Sequence, residues 1–237
     1  MKVMLFLRSL LFSTVMIIAT VLYSFVCVIC KPCSFNFRYK LIVAWTKFII
    51  KSAEIICGLK YEVVGAENIP KGAAIVFSKH QSTWETFFLL SIFHQPAIIL
   101  KKELLKIPFF GWGLSIIEPI AINRGKKRDA FQQILDQGKE KLKQGRVVLY
   151  FPEGTRTVFG AEEVKYKTGG ARLAEATGAP VVPVAHNAGY FWPRRSFLKK
   201  PGTIKVVIGQ PILTQDKPAQ AIVEEAREWI EGQMKAF

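Results

Sequence analysis

A run of 22 residues without a charged side chain lies between Arg8 and Lys31, with the sequence SLLFSTVMIIATVLYSFVCVIC. As an α-helix rising about 1.5 Å per residue, this run would be roughly 33 Å long, which is enough to cross the hydrocarbon core of a bilayer. It is longer than the apolar stretch of a cleaved signal peptide, and it ends in Val, Ile and Cys rather than in small residues. The run therefore predicts a membrane segment.

A second apolar stretch, residues 39–60, has a different pattern. Lys40, Lys47, Lys51 and Glu54 recur at helical spacing, so a helix gathers these charges on one face. This pattern predicts an amphipathic helix at a membrane interface. Because positive charge flanks the first run on both sides, the positive-inside rule gives no orientation. A spanning helix and a helical pair that dips into one leaflet both fit.

The pattern changes at about residue 61, where short β-branched runs begin to alternate with helical stretches. This alternation predicts an α/β fold with a mixed, largely parallel sheet flanked by helices. We therefore divide the chain into N-terminal membrane-associated helices, residues 1–60, and an α/β domain, residues 61–237. The predicted strands lie near 61–65, 73–78, 97–100, 118–122, 147–151, 181–185 and 204–208, and the predicted helices near 82–93, 128–144, 168–177 and 217–235.

The chain carries 33 Lys and Arg residues against 18 Asp and Glu residues, a net charge of +15 at pH 7. Such a charge suits nucleic acid or an anionic membrane surface. Half of the residues are hydrophobic, and no RNA- or DNA-reading motif is present. We therefore expect membrane lipids as partners and no nucleic acid.

Several common kinds of active site have no signature in the sequence. There is no G-x-S-x-G serine elbow, no Walker A motif and no G-x-G-x-x-G dinucleotide fingerprint. Cys27, Cys30 and Cys33 are evenly spaced, but no histidine is near them, so we predict neither a metal site nor a disulfide framework. The nucleophile of any reaction is therefore expected to belong to a substrate.

Polar residues follow four of the predicted strands. His80 follows AAIVFSK, Arg124 follows IAIN, Glu153 and Arg156 follow VVLYFP, and His186 follows VVPVA. In α/β sheets the carboxyl ends of the strands form the edge where ligands bind. The positions therefore predict one site at this edge, although His186 also fits a purely structural role.

The stretch KHQSTWET, residues 79–86, allows two interpretations of its glutamate. Ser82 and Glu85 form an S-x-x-E capping box ahead of an apolar run, in which Glu85 reaches back to the amide of Ser82. Alternatively, His80 accepts a proton and Glu85 orients its other ring nitrogen, as a carboxylate does in hydrolase triads. Both roles are compatible with five residues across a helix start.

Four motifs, HQSTWE, INRG, FPEGTR and VVPVAHN, occur in this order. In order and spacing they resemble the motifs of the glycerolipid acyltransferases, and most of all those of the 1-acyl-glycerol-3-phosphate acyltransferases, over roughly residues 60–210. The resemblance implies direct acyl transfer from an acyl-carrier protein or coenzyme A thioester to the sn-2 hydroxyl of lysophosphatidic acid, giving phosphatidic acid without a further cofactor. It also implies a location at the membrane, the bacterial inner membrane, with the site on the cytoplasmic side.

The resemblance assigns roles to individual residues. His80 would be the general base and Glu85 its partner, although the family pattern is H-x4-D and this chain has glutamate in place of the aspartate. Arginine suits the predicted phosphate site, because its planar fork meets a phosphomonoester in a bidentate manner. Gly154 would allow the turn that presents its neighbours. The residues assigned to substrate binding are Arg124, Glu153, Gly154, Thr155 and Arg156.

Some alternatives remain open in the sequence. The four motifs also fit an acyltransferase with another acceptor, such as a lyso-ornithine lipid or glycerol 3-phosphate, and a non-catalytic lipid-binding protein is a third reading. Residues 107–112 are apolar and fit either an acyl channel or ordinary packing. The stretch YFWPRRSFLKK, residues 190–200, interleaves aromatic and basic residues, which predicts contact with an anionic membrane, while a packed loop and a docking site for acyl-carrier protein also fit.

Overall fold

The computed structural model describes residues 2–123, 125, 127–161 and 164–237, with residues 127 and 128 described by their backbone alone. The chain begins with two helices, α1 (Lys2–Ile29) and α2 (Phe35–Cys57). Ser34 caps the start of α2 by accepting a hydrogen bond from the amide of Phe37. Gly58 ends α2 in the left-handed conformation, which glycine adopts without steric cost.

Within the described residues, seven strands and six more α-helices follow. The strands are β1 (Leu59–Val64), β2 (Ala74–Ser78), β3 (Ala97–Lys101), β4 (Ile120–Ile122), β5 (Val147–Tyr150), β6 (Val181–His186) and β7 (Gly202–Ile208). The helices are α3 (Trp84–Ile92), α4 (Phe110–Ser115), α5 (Lys127–Lys143), α6 (Gly169–Thr177), α7 (Ala188–Phe191) and α8 (Ala219–Met234). Two short 3-10 helices cover Ala66–Asn68 and Lys102–Lys106.

The strands form one sheet in the order β1-β7-β6-β2-β5-β3-β4. Neighbouring strands pair in parallel except for β6 and β7, which are antiparallel. The predicted mixed, largely parallel sheet flanked by helices is therefore confirmed. Because β2 lies in the middle of the order, the residues that follow its carboxyl end reach the centre of the edge where ligands bind.

Two core layers cover the two faces of the sheet. Along β2, Ala74 and Val76 belong to the core cluster that includes residues of α1, α2 and α3. Ile75 and Phe77 belong to the cluster that includes residues of α6 and α8. This alternation follows from the strand period of two, and it explains why β2 is apolar along its whole length.

The predicted helix at residues 39–60 is present as α2, but its apolar face packs on protein rather than on lipid. Ile42, Trp45 and Ile49 are buried in the core beneath the sheet. The Trp45 ring meets Phe87 of α3 edge to face, with ring centroids 4.9 Å apart. The sheet needs this cover because both of its faces are apolar. The N-terminal helices therefore share one core with the α/β domain.

Most of α1 is not covered by the protein. Its buried residues are Ser9, Phe12, Ser24 and Cys27, and it is the one helix of the described residues that is long and apolar enough to cross a membrane. The exposed large apolar side chains of α1 are Val3, Met4, Phe6, Leu7, Leu10, Leu11, Ile17, Ile18, Leu22, Phe25, Val26, Val28 and Ile29. Such a surface is costly to leave in water, which agrees with the membrane segment predicted from the sequence.

Candidate active site

His80 and Glu85 lie together at the carboxyl end of β2. Nδ1 of His80 is 2.9 Å from Oε1 of Glu85. The Glu85 side chain is fully buried, whereas 16% of the His80 side chain is exposed. The His80 ring stacks on the Phe151 ring, with centroids 4.0 Å apart and planes 19° apart, which limits how far the imidazole can rotate.

The same glutamate also caps α3. Oε1 of Glu85 accepts hydrogen bonds from the amides of Gln81 (3.1 Å) and Ser82 (3.0 Å). The capping box and the contact with His80 are therefore both present, on one carboxylate oxygen. Burial raises the pKa of Glu85, but the hydrogen bond from His80, the nearby histidines and the Ser82 amide outweigh burial and hold this pKa below its ordinary value.

The charge of Glu85 fixes the tautomer of His80. An ionised carboxylate can only accept a hydrogen bond, so Nδ1 of His80 carries the proton that it donates to Glu85. Nε2 of the neutral ring then keeps its lone pair. Because the exposed part of the His80 ring lines a large cavity, Nε2 is suited to accept a proton there.

The loop after β5 is tied to His80 through the backbone. The His80 carbonyl accepts hydrogen bonds from the amide (2.8 Å) and the hydroxyl (3.2 Å) of Thr157. Gly154 has φ of +70°, as the predicted tight turn requires. A Cβ at Gly154 would also lie 2.5 Å from Nζ of Lys167, so a side chain here would displace the end of that lysine.

Glu153 faces away from the cavity. Its side chain is 1% exposed, and its Oε1 lies 3.3 Å from Nζ of Lys79, which is also buried. Burial raises the pKa of Glu153 to about 8, against the opposing effect of Lys79. The structure therefore places Glu153 behind the loop that carries Thr155 and Arg156, whereas the sequence placed it among the residues facing substrate.

His186 is buried and fully engaged by backbone groups. Its Nδ1 accepts a hydrogen bond from the amide of Ala188 at 3.3 Å, so its Nε2 is the nitrogen that donates to the Lys79 carbonyl at 2.8 Å. Burial lowers the pKa of His186, which favours the neutral ring. This placement agrees with the structural role that the sequence left open, since the ring holds the backbone just before His80.

One cavity of about 1140 Å³ contains His80 in its wall. Six basic residues of the described part of the chain line this wall: Lys101, Arg156, Lys167, Arg172, Arg194 and Arg195. Its apolar lining comes from helices α1 to α5, from Phe109 directly before α4 and from strands of the sheet, and includes Tyr23, Ile42, Trp45, Phe87, Leu90, Phe109, Phe110, Leu114, Phe131, Ile134, Ile98, Leu100 and Ile122. The predicted substrate residues Gly154, Thr155 and Arg156 line it as well, whereas Arg124 lies outside the described residues. The cavity can thus hold an anionic group and an apolar chain together.

The sequence left open whether residues 107–112 line an acyl channel or simply pack, and Phe109 and Phe110 show where this segment lies. Both rings line the cavity. Phe109 also packs on Phe25 of α1, with ring centroids 5.8 Å apart. The segment therefore packs against α1 and lines the cavity at the same time.

Residues 190–200 join α1 to the loop after β5. Arg194 donates a hydrogen bond to the Arg156 carbonyl. Lys199 is buried, and its Nζ donates to the hydroxyl of Ser13 at 3.1 Å and to the Phe197 carbonyl at 2.7 Å. The rings of Phe12, Trp192 and Phe197 surround this ammonium, with centroids 5.0 to 5.7 Å away. The sequence did not reveal the role of Lys199, because Phe12 and Ser13 lie far away in the chain.

Comparisons with known proteins agree with this geometry. Residues 60–187 match the acyltransferase family. The chain is similar to the 1-acyl-sn-glycerol-3-phosphate acyltransferase of Pseudomonas aeruginosa, at 46% identity over 204 residues that make up 84% of this chain and 79% of that protein. It is 33% identical to the enzyme of the same name from Salmonella typhimurium, over 71% of this chain and 70% of that protein.

More distant relatives extend the likeness. The 1-acyl-sn-glycerol-3-phosphate acyltransferase of Saccharomyces cerevisiae is 32% identical over 73% of this chain, which spans 58% of the yeast protein. The crystal structure of the 1-acyl-sn-glycerophosphate acyltransferase PlsC from Thermotoga maritima superposes with a TM-score of 0.80, at 23% identity, over 99% of this chain and 96% of that one. This last likeness establishes the fold. By its family match and its sequence relatives, the chain belongs to the acyltransferase family.

Proposed function

We propose that this protein transfers an acyl chain from a thioester donor to the sn-2 hydroxyl of 1-acyl-glycerol 3-phosphate, giving phosphatidic acid. The observation that carries the proposal is the His80–Glu85 pair, which lies in the wall of a cavity lined by both basic and apolar residues. Lysophosphatidic acid has a phosphomonoester and an acyl chain, so it matches both kinds of lining residue. The names of the relatives support the same acceptor.

In the proposed mechanism, Nε2 of His80 removes the proton of the acceptor hydroxyl as its oxygen attacks the thioester carbonyl. As the new carbon–oxygen bond forms, the carbonyl oxygen of the thioester becomes an oxyanion. Collapse of this tetrahedral intermediate restores the carbonyl and breaks the carbon–sulfur bond. The imidazolium of His80 then protonates the leaving thiolate, so His80 returns to its starting state. Glu85 stabilises the imidazolium in between, because its carboxylate lies 2.9 Å from Nδ1.

Arg156 is our candidate for the phosphate of the acceptor. Its Nε is buried, and it has no hydrogen-bond partner among the described residues. The residue also lines the cavity, where the planar guanidinium can meet a phosphate in a bidentate manner. Arg124 belongs to the same proposal on the strength of its motif. Glu153 is buried beside Lys79, and we propose that it supports the loop from behind through this contact instead of meeting substrate.

Replacing Arg156 with alanine should weaken binding of the acceptor more than binding of the donor. A charge-assisted hydrogen bond contributes about 1.5 to 3 kcal/mol, so the apparent KM for lysophosphatidic acid should rise about tenfold to a hundredfold. The KM for the donor should stay within about twofold, and Arg156→Lys should recover only part of the loss because the planar fork is absent. Steady-state kinetics with each substrate varied in turn give the answer. A rise confined to the donor KM would remove Arg156 from the phosphate site.

An acceptor panel tests the proposed function itself. The purified full chain is given labelled acyl-CoA or acyl-ACP together with lysophosphatidic acid, glycerol 3-phosphate or a lyso-ornithine lipid. We expect phosphatidic acid as the product, with kcat/KM for lysophosphatidic acid above that for the chainless glycerol 3-phosphate on the order of a hundredfold, since an acyl chain buries many methylenes. Equal or better use of either other acceptor would contradict the proposal. Comparison of kcat/KM with acyl-CoA and with acyl-ACP shows which thioester the enzyme uses.

We also propose that α1 and residues 190–200 hold the site on the cytoplasmic face of an anionic membrane. The Phe197 ring packs 5.3 Å from the Phe6 ring of α1, so the segment and the apolar helix lie side by side. Tyr190 and Phe197 are exposed there together with Arg195 and Lys200. Aromatic and basic side chains are the ones that bilayer headgroups favour. The lipid acceptor could then reach the cavity without crossing water.

Binding of the full chain to vesicles checks this placement. Arg195→Glu with Lys200→Glu should weaken binding to anionic vesicles about tenfold or more at low salt, at roughly 1 kcal/mol per charge. Arg194 is left unchanged because it holds the Arg156 carbonyl. The matched control reverses the charges of two exposed lysines, Lys143 at the end of α5 and Lys235 directly after α8. Unchanged vesicle binding in the first variant would contradict membrane contact, and a defect seen only with acyl-ACP would instead assign the segment to carrier docking.

A further inference from the structure

Lys79 is a buried lysine directly before His80. It is 2% exposed, and its amide donates to the Val184 carbonyl of β6 at 3.0 Å. Its ammonium lies 2.7 Å from Oε1 of Glu231 on α8 and 3.3 Å from Oε1 of Glu153. A buried ammonium is costly unless a charge balances it and hydrogen bonds satisfy it. Lys79 therefore depends on these two carboxylates, which come from distant parts of the chain.

The two carboxylates are not equal partners. The contact with Glu231 is a hydrogen bond, whereas neither carboxylate oxygen of Glu153 forms one with the described residues. Burial raises the pKa of Glu153 to about 8, and the negative charges of Glu85 and Glu231 add to this effect. This raised pKa favours the neutral form of Glu153. Glu231, which accepts the hydrogen bond at 2.7 Å, is the closer partner of Lys79.

Glu231 is itself held in place by a second group. The Tyr166 hydroxyl donates to the same Oε1 of Glu231 at 2.8 Å. Burial, with the nearby charges of Glu153 and Glu231, raises the pKa of Tyr166, so this hydroxyl keeps its proton and remains a donor. About 22% of the Glu231 side chain is exposed, which lowers the cost of its charge. The arrangement Tyr166–Glu231–Lys79 therefore joins α8 to the end of β2.

Loss of the Glu231 charge would affect the catalytic pair, His80 and Glu85. Lys79 would have to take an ionised Glu153 as its partner, and Glu153 belongs to the loop that carries Arg156. The same loop is hydrogen bonded to the His80 carbonyl through Thr157. Any change in the Lys79–Glu153 contact is thus transmitted to His80 and Arg156 together.

We propose that Glu231 is a positioning residue for acyl transfer. It acts through Lys79 to keep His80 and the loop of Glu153 and Arg156 in place relative to each other. The proposal rests on the proposed function, because it assigns His80 and Arg156 to the reaction. It makes the C-terminal helix part of the active-site support. Glu231 touches no substrate in this account.

The test is a double-mutant cycle measured as kcat with lysophosphatidic acid and acyl donor. Glu231→Gln keeps the shape but removes the charge that balances Lys79, and we expect kcat to fall about tenfold because His80 and the loop after β5 lose this support. In a Lys79→Met background, Glu231→Gln should cause no further loss beyond about twofold. Equal losses in both backgrounds would show that Glu231 acts independently of Lys79 and would overturn the proposal. Glu228→Gln, an exposed glutamate on the same helix, is the matched control and should leave kcat unchanged.

A second variant decides the matter if Lys79→Met does not fold. Glu231→Asp keeps the charge on a shorter side chain, so it should recover part of the turnover that Glu231→Gln loses. If only packing mattered, aspartate would be no better than glutamine, and that result would overturn the proposal.

Amide hydrogen exchange gives a readout that does not depend on turnover. Exchange in residues 79–83 and 153–157 should speed up about tenfold in Glu231→Gln and stay unchanged in Glu228→Gln. Unchanged exchange together with wild-type kcat would overturn the inference while leaving the proposed function intact. Failure of the wild-type protein to make phosphatidic acid would instead reject the proposed function, and the exchange result would still report on Lys79 and Glu231.

Discussion

His80→Ala is expected to lower kcat by about a hundredfold or more while the KM for lysophosphatidic acid stays within about twofold. The imidazole removes the proton of the attacking hydroxyl in our mechanism, and no other described histidine can take its place. His186 is buried with both ring nitrogens engaged, and His94 is exposed on the surface. The loss should therefore appear in the chemical step, as single-turnover kinetics with saturating acceptor would measure.

His94→Ala is the control for His80→Ala, since it removes an exposed histidine. It should leave both kcat and the melting temperature unchanged. If a folded His80→Ala protein has a kcat near that of the wild type, His80 is not the base.

Glu85→Gln is expected to lower kcat by at least about a hundredfold with little loss of stability. Glutamine keeps a carbonyl oxygen that can accept from the Gln81 and Ser82 amides, so most of the cap survives. It loses the charge that stabilises a protonated imidazole 2.9 Å away. Because the folded-state pKa of Glu85 is lowered, its charge stabilises the fold above its ordinary pKa, and this contribution is lost as pH falls through the folded value.

Turnover and thermal unfolding at pH 7 separate the two roles of Glu85. A role in orienting His80 predicts a large loss in kcat with a shift in Tm of no more than a few degrees, or about 1 kcal/mol. Glu85→Asp restores the residue of the usual family pattern and should keep part of the activity, since the charge is retained. Wild-type turnover in Glu85→Gln would show that the glutamate is a helix cap alone.

The fold was largely predictable because its elements carry strong local patterns. β2 and β5 are short β-branched runs, and all seven predicted strands lie within two residues of observed ones. Helix α4 was missed because its sequence, FGWGLS, has two glycines in six residues and no helical period. α2 was predicted as a helix, but its apolar face was assigned to lipid, since a sequence pattern does not distinguish burial in protein from burial in a membrane.

The candidate site was predictable only in part. His80 and Glu85 are five residues apart across a helix start, so their meeting follows from local geometry. Lys79 and Glu231 are 152 residues apart, and nothing in their local sequence indicates a contact. Glu153 was assigned to substrate by its motif, whereas the structure shows its buried side chain 3.3 Å from Nζ of Lys79 and not in the cavity wall. Long-range partners and the inward or outward direction of loop side chains thus required the structure.

The most direct test of the account is a rapid-quench measurement of thiol release from the acyl donor, with and without lysophosphatidic acid. The mechanism has the acceptor hydroxyl attack the thioester itself, so thiol should appear only when acceptor is present, mole for mole with phosphatidic acid. No acyl group should remain on the protein. An acceptor-independent burst of about one equivalent of thiol, with the acyl chain bound to the enzyme, would be the signature of a covalent intermediate and would contradict direct transfer under His80 and Glu85.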